Sequence, residues 1–224
     1  KITTPFLFSA LFTFLAFLVF TFYKGKFRKF RNIEINLIKN IKDFFKNKEL
    51  RNLYISSIGT SLWLGFIFIY IPLYIVRNNY DKSFVGTFLF IFLIPYLIEY
   101  FIGKKSDKIG TKSFITNGYL IITALAFLAF IFNNFKLTLL FLVLSSFGVA
   151  FTGPTREIHF FKSVTKKEEE RYYGIYLTHI EIGLLLGKII PALLLYFISF
   201  HYIFLILAII MLVFSLLSFK LKNV

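Results

Sequence analysis

Long apolar runs separated by short polar segments dominate this chain. The seven runs cover about residues 5–23, 52–76, 83–102, 113–132, 137–155, 173–198 and 202–219. Each run approaches or exceeds the roughly 18 to 20 residues that a helix needs to cross the hydrocarbon core of a bilayer. The pattern therefore predicts an all-α, polytopic membrane protein with seven transmembrane helices.

The amino-acid composition supports lipid as the solvent for most of the chain. The 224 residues are 58% apolar and 21% aromatic, and the mean hydropathy is +0.75. Soluble globular domains are much less apolar than this. The sequence contains no cysteine, which excludes disulfides, thiolate nucleophiles and cysteine-ligated metal sites.

The positive charge is distributed unevenly among the connections. The net charge is +15, and if the runs alternate in direction, the connections on one side carry 21 cations and those on the other carry 3. Lys and Arg concentrate in cytoplasmic loops. The distribution predicts a multi-pass protein of the cell membrane with a cytoplasmic carboxy terminus. It disfavours a nucleic-acid partner, because the cations lie in short segments close to helix ends.

The longest connection, residues 24–51, has its own periodicity. Ile33, Leu37, Ile41 and Phe44 recur at helical spacing, with lysines on the other side. This pattern predicts an amphipathic helix on the inner membrane surface. We interpret it as a tether between two helical bundles, in preference to a regulatory lipid sensor.

The polar segment between the third and fourth runs has the most distinctive spacing. Its marked positions are Gly103, Asp107, Lys108, Gly110 and Lys112. We expect a turn in which Gly103 allows close helix approach and Gly110 adopts a positive φ. Asp107 is suited to accept helix-terminal amides or to pair with a cation. We hypothesise that it latches one conformation during transport, and simple helix capping is the alternative.

This spacing resembles the loop between the second and third helices in each half of the major facilitator superfamily. The position agrees as well, because the segment joins the second and third runs after the basic connection. The resemblance implies the last helix of an amino-terminal half (1–23), a basic cytoplasmic linker (24–51) and a carboxy-terminal six-helix bundle (52–224). It also implies secondary active transport of a small-molecule substrate by alternating access. The partner would be the missing amino-terminal half, and since the sequence begins at Lys1 without a Met, we expect a fragment.

The sixth run combines small and charged residues. Gly183, Gly187 and Pro191 repeat every four residues, which favours tight helix packing and resembles the fifth helix of each family half. Glu181 and Lys188 share a face and lie about 10 Å apart along the axis. A charge at membrane depth is costly, so we expect each to meet a different group or water. Glu181 is a candidate proton carrier.

Further polar residues are candidates for the substrate or proton pathway. They are His179, Tyr70, Ser146, Thr152 and Arg156. The resemblance places cavity-lining helices at the second and fifth runs, which makes Tyr70, Ser146 and Thr152 candidate substrate contacts. His179 is also explained as a polar residue near the cytoplasmic mouth. Glu99 is expected to pair with a lysine of the loop.

Motifs for catalysis are missing from the sequence. It has no HExxH pair and no GK[ST] phosphate loop, and its three histidines are widely separated, so we expect no enzyme activity, no cofactor and no metal site. Uphill transport would depend on an ion or solute gradient. Efflux is favoured over uptake because the glycine-proline helix resembles one found in exporters. A non-transporting membrane scaffold and a dimerising half-transporter are the alternatives.

Overall fold

The structure, a computed structural model, describes residues 3–22 and 36–224. In this part of the chain the helices are α1 (Thr3–Phe22), α2 (Leu37–Lys46), α3 (Lys48–Arg77), α4 (Lys82–Leu93), α5 (Glu99–Ile109), α6 (Thr111–Phe132), α7 (Phe135–Ser163), α8 (Lys166–Phe197) and α9 (Phe200–Ser218). A 3₁₀ segment, Ile94–Ile98, joins α4 to α5. Helix α1 belongs to one compact unit, and residues 35–224 form a second.

The predicted all-α, polytopic fold is confirmed. Six helical stretches of the second unit are long and apolar enough to cross a membrane: Lys48–Arg77, Lys82–Ile109, Thr111–Phe132, Phe135–Ser163, Lys166–Phe197 and Phe200–Ser218. The described apolar part of α1, Leu7–Phe22, is shorter. The first predicted span, residues 5–23, corresponds to α1.

Several helices extend beyond the apolar runs that predict them, because polar residues complete their first turns. Asn47 accepts hydrogen bonds from the backbone N–H groups of Glu49 and Leu50, so α3 starts before the apolar run. Thr165 and Glu168 form a capping box at the start of α8. Such caps satisfy N–H groups that have no partner inside the helix.

The third predicted span is interrupted. Pro95 lies in the 3₁₀ segment between α4 and α5, and its ring nitrogen cannot donate the hydrogen bond that a continuous α-helix requires. The interruption changes the direction in which the following residues project. Glu99 is the first residue of α5 as a result.

Helix α3 lies at the centre of the second unit. It packs against α8, α9, α7 and α4, whereas α6 packs mainly against α7 and α9. Trp63 and Phe66 of α3 are fully buried, and the Trp63 Nε1 atom donates a hydrogen bond of 3.2 Å to Ser145 Oγ on α7. Lipid is as apolar as these side chains, so close packing and interhelical hydrogen bonds supply the association energy.

Helix α2 packs against α3 and α8. Phe44 is buried against Tyr54 and Tyr172, and Arg171 donates two hydrogen bonds, of 3.3 and 3.1 Å, to Asn40 Oδ1. The amphipathic helix expected here is present. Ile33, which was expected to belong to it, lies outside the described residues, and a contact with the membrane surface stays a prediction.

Helix ends of the second unit meet at a surface that we call the basic end. It consists of residues 48–51, 104–112, 162–171 and 219–224. The first, third and fifth connections between the apolar runs, together with the segment after α9, carry most of the cations. Most of those cations that fall within the described residues lie at the basic end.

Candidate functional site

Two glycines of α8 bring that helix against the backbone of α3. A Cβ atom on Gly183 would lie 2.6 Å from the carbonyl oxygen of Ile58, and one on Gly187 would overlap the carbonyl oxygen of Leu62. Pro191 is buried on the same face one turn later. Only a residue without a side chain allows backbones to approach this closely. The contact fixes which face of α8 points away from the other helices.

That opposite face carries charge near the middle of the membrane-spanning helix. Glu181 and Lys188 are both exposed, as is Leu185 between them. Glu181 lies about 22 Å from either end of α8. Neither charge forms an ion pair with another described residue. Helix α8 is also the least buried of the six spans. The two charges near the middle of a span therefore lie on the helix that its neighbours cover least.

A second polar centre surrounds Arg156 of α7. Its Nη1 atom donates a hydrogen bond of 3.2 Å to the carbonyl oxygen of Ser57 on α3, and its buried Nε atom has no partner within the described ranges. The half-buried carboxylates of Glu99 and Glu157 interact electrostatically with this guanidinium. Arg156 therefore offers an N–H donor that the surrounding protein leaves unused.

The position of Glu99 corrects the sequence-based expectation. Its Oε1 atom lies 3.0 Å from the place where a Cβ atom would stand on Gly153, so the absence of a side chain at position 153 admits the carboxylate to α7. The expected pairing with a loop lysine is wrong, because the charged group that acts on Glu99 is Arg156. Since α5 stays helical, Lys104 and Lys105 project more than 100° away around the axis.

Ser57 connects the Arg156 centre to α8. Its hydroxyl oxygen lies 3.3 Å from the hydroxyl oxygen of Tyr176. One turn further, His179 is fully buried, with Nδ1 2.5 Å from the Tyr176 carbonyl oxygen. An imidazole nitrogen at that position must donate, so Nδ1 carries a proton, while Nε2 has no partner in the described chain. His179 shares the buried face of Gly183, so its imidazole is enclosed between helices in this conformation. A place near the cytoplasmic mouth stays a prediction.

The three candidate substrate contacts are occupied in helix packing. Tyr70 donates a hydrogen bond of 2.6 Å to the carbonyl oxygen of Lys188. Thr60 donates one of 3.0 Å to the hydroxyl oxygen of Thr152, and Ser146 donates one of 2.6 Å within α7. All three residues are buried. In this conformation the hydroxyl groups of Tyr70 and Thr152 join helices, the Ser146 hydroxyl bonds within its own helix, and none of the three lines an open wall.

The polar segment 103–112 is helical for most of its length. Helix α5 continues to Ile109, and Gly110 alone, with a φ of 104°, separates it from α6. The expectation of a turn is therefore wrong for residues 103–109, because Lys, Ser and Asp are tolerated in a helix whereas the positive φ favours glycine. At Gly103 an added Cβ atom would make an ordinary contact of 3.5 Å with Ile158. Close helix approach does not require glycine at that position.

Asp107 connects α5 to the last turn of α7. Its Oδ1 atom accepts a hydrogen bond of 2.9 Å from Lys162 Nζ, which also donates to the Asp107 carbonyl oxygen at 2.7 Å. The pair lies beside an open cavity of 830 Å³ whose lining includes Glu99, Gly103 and Pro154. Lys108 and Lys112 form no ion pair with a described residue.

A buried network that the sequence analysis missed ties the helices together at the basic end. His159 of α7 places Nε2 2.7 Å from Glu49 Oε1 and Nδ1 2.7 Å from Thr111 Oγ1. Glu49 also accepts the backbone N–H of Lys222 at 2.9 Å, and the Thr111 N–H donates to the Val224 carbonyl oxygen at 3.0 Å. Helices α3, α6 and α7 and the segment after α9 are thereby joined.

Comparison with known proteins identifies the family. The search of curated proteins gives no match to this chain. Residues 77–223, more than half of the chain, match the Major Facilitator Superfamily. The match includes all of α4 to α9. Within the described residues, no group of three or more His, Cys, Asp or Glu side chains is arranged to hold a metal ion. The chain belongs to the major facilitator superfamily, a family of multi-pass membrane transporters.

Proposed function

We propose that the chain supplies one wall of the transport path in a secondary active transporter that moves a small solute by alternating access. The observation that carries this proposal is the exposed, charged face of α8, with Glu181 and Lys188. A charge at the centre of a bilayer costs about 2.5 to 3.5 kcal/mol on insertion scales. Two such charges on one exposed face favour water or protein opposite that face over lipid.

The faces of α6 and α9 provide the contrast. Their large exposed side chains are apolar and include Leu120, Phe127, Ile209 and Leu212. After Lys112, neither helix contains Asp, Glu, Lys or Arg. We assign this face to lipid and the α8 face to the interior of the transporter.

The basic end is the proposed cytoplasmic side, because Lys and Arg favour cytoplasmic loops. The segment after α9 would then be cytoplasmic, and the proposed location is the cell membrane. The amino-terminal half of the same transporter, whose last helix would be α1, is the proposed partner of the α8 face. Rocking of the two halves would expose that face to each side of the membrane in turn.

Glu181 is the proposed proton carrier. A carboxylate at mid-depth that is exposed to the two sides in turn can bind a proton on one side and release it on the other. Coupling of this kind would support efflux of a solute against its gradient. The unused Nε–H of Arg156 is a candidate donor to an acceptor atom of the solute.

Glu181→Gln is expected to reduce proton-coupled transport at least tenfold and to flatten its pH dependence, because the amide cannot carry the proton. The measurement is solute-driven proton movement by the full-length protein in proteoliposomes, read with a pH-sensitive dye across a panel of small solutes. Glu170→Gln, at an exposed carboxylate near the start of α8, is the control. Transport with an unaltered pH profile in Glu181→Gln would remove the proton role, and a wild-type protein that moves no solute of a broad panel would count against transport itself.

Asp107→Asn tests the proposed latch. The Asp107 side chain is 60% exposed in its pair with Lys162, so the free energy of unfolding should change by less than about 1 kcal/mol. The ratio of inward- to outward-accessible protein should nevertheless shift, because the link between α5 and α7 is weakened. Thiol labelling of single cysteines introduced at each end of the transporter measures the ratio, with Lys105→Gln as control. An unchanged ratio would leave the pair of Asp107 and Lys162 as a static contact between α5 and α7.

A second copy of the chain would also cover the exposed α8 face, which makes a dimerising half-transporter the second candidate. The chain alone in liposomes separates the two arrangements. Solute transport by the chain alone would support the dimer, whereas transport only with the amino-terminal half would support the single-chain transporter. A membrane scaffold would show neither.

A further inference from the structure

Two adjoining cavities follow the surface between α6 and α9. The larger, of 460 Å³, is an apolar groove lined by Leu120, Thr123, Ala124, Phe127, Leu205, Ala208, Ile209 and Leu212. The two alanines make the groove deep, because larger side chains flank them on both helices. The groove lies on the face assigned above to lipid, so a hydrocarbon chain is its natural content.

The smaller cavity, of 270 Å³, is polar and lies at the basic end. Its lining is Lys112, Ser113, Thr116, Asn117, Leu120, Phe219 and Asn223. Leu120 belongs to both linings, so the polar cavity continues into the apolar groove. The polar cavity contains one cation and no carboxylate, and its hydroxyl and amide groups offer further hydrogen-bond donors.

Lys112 is the charged group of this surface, and the protein leaves it unneutralised. It forms no ion pair and no side-chain hydrogen bond with a residue of 36–224, and it is half-buried. Thr116, in contrast, is satisfied by the Ser218 hydroxyl group at 2.6 Å. A half-buried cation without a partner, at the depth of the lipid headgroups, attracts an anionic group.

We propose that these two cavities form one binding site for an anionic phospholipid. The phosphate group lies beside Lys112, with Ser113 and Asn117 as additional donors, and one acyl chain lies in the groove between α6 and α9. The distance along α6 from Lys112 to Phe127 is about 22 Å, enough for a headgroup followed by a chain that crosses half of the roughly 30 Å hydrocarbon core. The site lies on α6, α9 and the segment after α9, not on the charged face of α8, and it does not depend on the proposed transport function.

The test compares dioleoyl phosphatidylglycerol with dioleoyl phosphatidylcholine, titrated onto the full-length protein in detergent and counted by native mass spectrometry. We expect the wild type to prefer the anionic lipid. Lys112→Gln should weaken phosphatidylglycerol binding about fivefold, as expected for one lysine near anionic headgroups, and leave phosphatidylcholine binding unchanged. Lys112→Arg should keep the preference.

Two further variants separate the site from general attraction to the basic end. Ala124→Phe fills the groove and should weaken binding of both lipids, whereas Lys105→Gln removes an exposed cation outside both linings and should change neither. Circular dichroism confirms that each variant is folded. Equal losses in Lys112→Gln and Lys105→Gln, no preference in the wild type, or unaltered binding in Ala124→Phe would each overturn the proposal.

Discussion

Gly187→Ala is expected to destabilise the protein by about 1 to 3 kcal/mol, the usual cost of overpacking a filled interior. The added methyl group would overlap the carbonyl oxygen of Leu62 and stand 2.9 Å from its carbonyl carbon. These are backbone atoms of α3, which cannot move aside by changing a rotamer. Helix α3 also approaches α8 closely through its own glycine, since a Cβ atom on Gly65 would lie 2.6 Å from the Leu184 carbonyl oxygen. Helices α3 and α8 would have to separate.

Gly174→Ala on the same helix is the matched control. A Cβ atom at that position has nothing within 4 Å, and alanine stabilises a helix interior by about 0.5 to 1 kcal/mol relative to glycine. Thermal unfolding of the purified full-length protein in detergent should therefore show opposite shifts for the two variants. If Gly187→Ala were as stable as Gly174→Ala, the close packing of α3 on α8 would be incorrect.

Hydropathy was sufficient to locate the spans but not their ends. The apolar run of α8 starts near residue 173, yet the helix begins at Lys166, because a capping box and charged residues form two polar turns that hydropathy does not register. The prediction of a turn at residues 103–109 is wrong for a related reason, because a polar stretch that contains glycine is also typical of a turn. Its residues are compatible with a helix, and only the positive φ at Gly110 ends it.

Partners distant in the sequence could not be predicted at all. His159 contacts Glu49 and Thr111, and nothing in the local sequence around any of the three indicates the others. Glu99 interacts electrostatically with Arg156 and not with a lysine of the loop. The reason is that Pro95 interrupts the span, which sets the direction of α5. Such pairings depend on how the helices pack in three dimensions. Contacts between distant residues leave no local pattern in a single sequence.

The exposure of Glu181, in contrast, follows from the glycines. At 100° per residue, Glu181 lies about 200° around the helix from Gly183, so a helix that packs through its glycines must turn this carboxylate away. The structure agrees, with Gly183 buried and Glu181 exposed. The depth of the charge and its direction together make the α8 face the most informative surface of the chain.

Single-cysteine labelling tests most directly whether the charged face of α8 meets water. The sequence has no cysteine, so an introduced thiol has no background within the chain. Leu185→Cys lies between Glu181 and Lys188 and leaves both charges in place. Leu212→Cys on α9 is the matched control, since the two leucines are 55% and 41% exposed and both lie near mid-helix.

The thiolate is the reactive species, and burying its charge in hydrocarbon costs about 3 kcal/mol, which corresponds to about a hundredfold in rate. We therefore expect a membrane-impermeant maleimide to label Leu185→Cys about a hundredfold faster than Leu212→Cys in the full-length protein in native membranes. Equal, slow labelling at the two positions would contradict a water-filled path along α8.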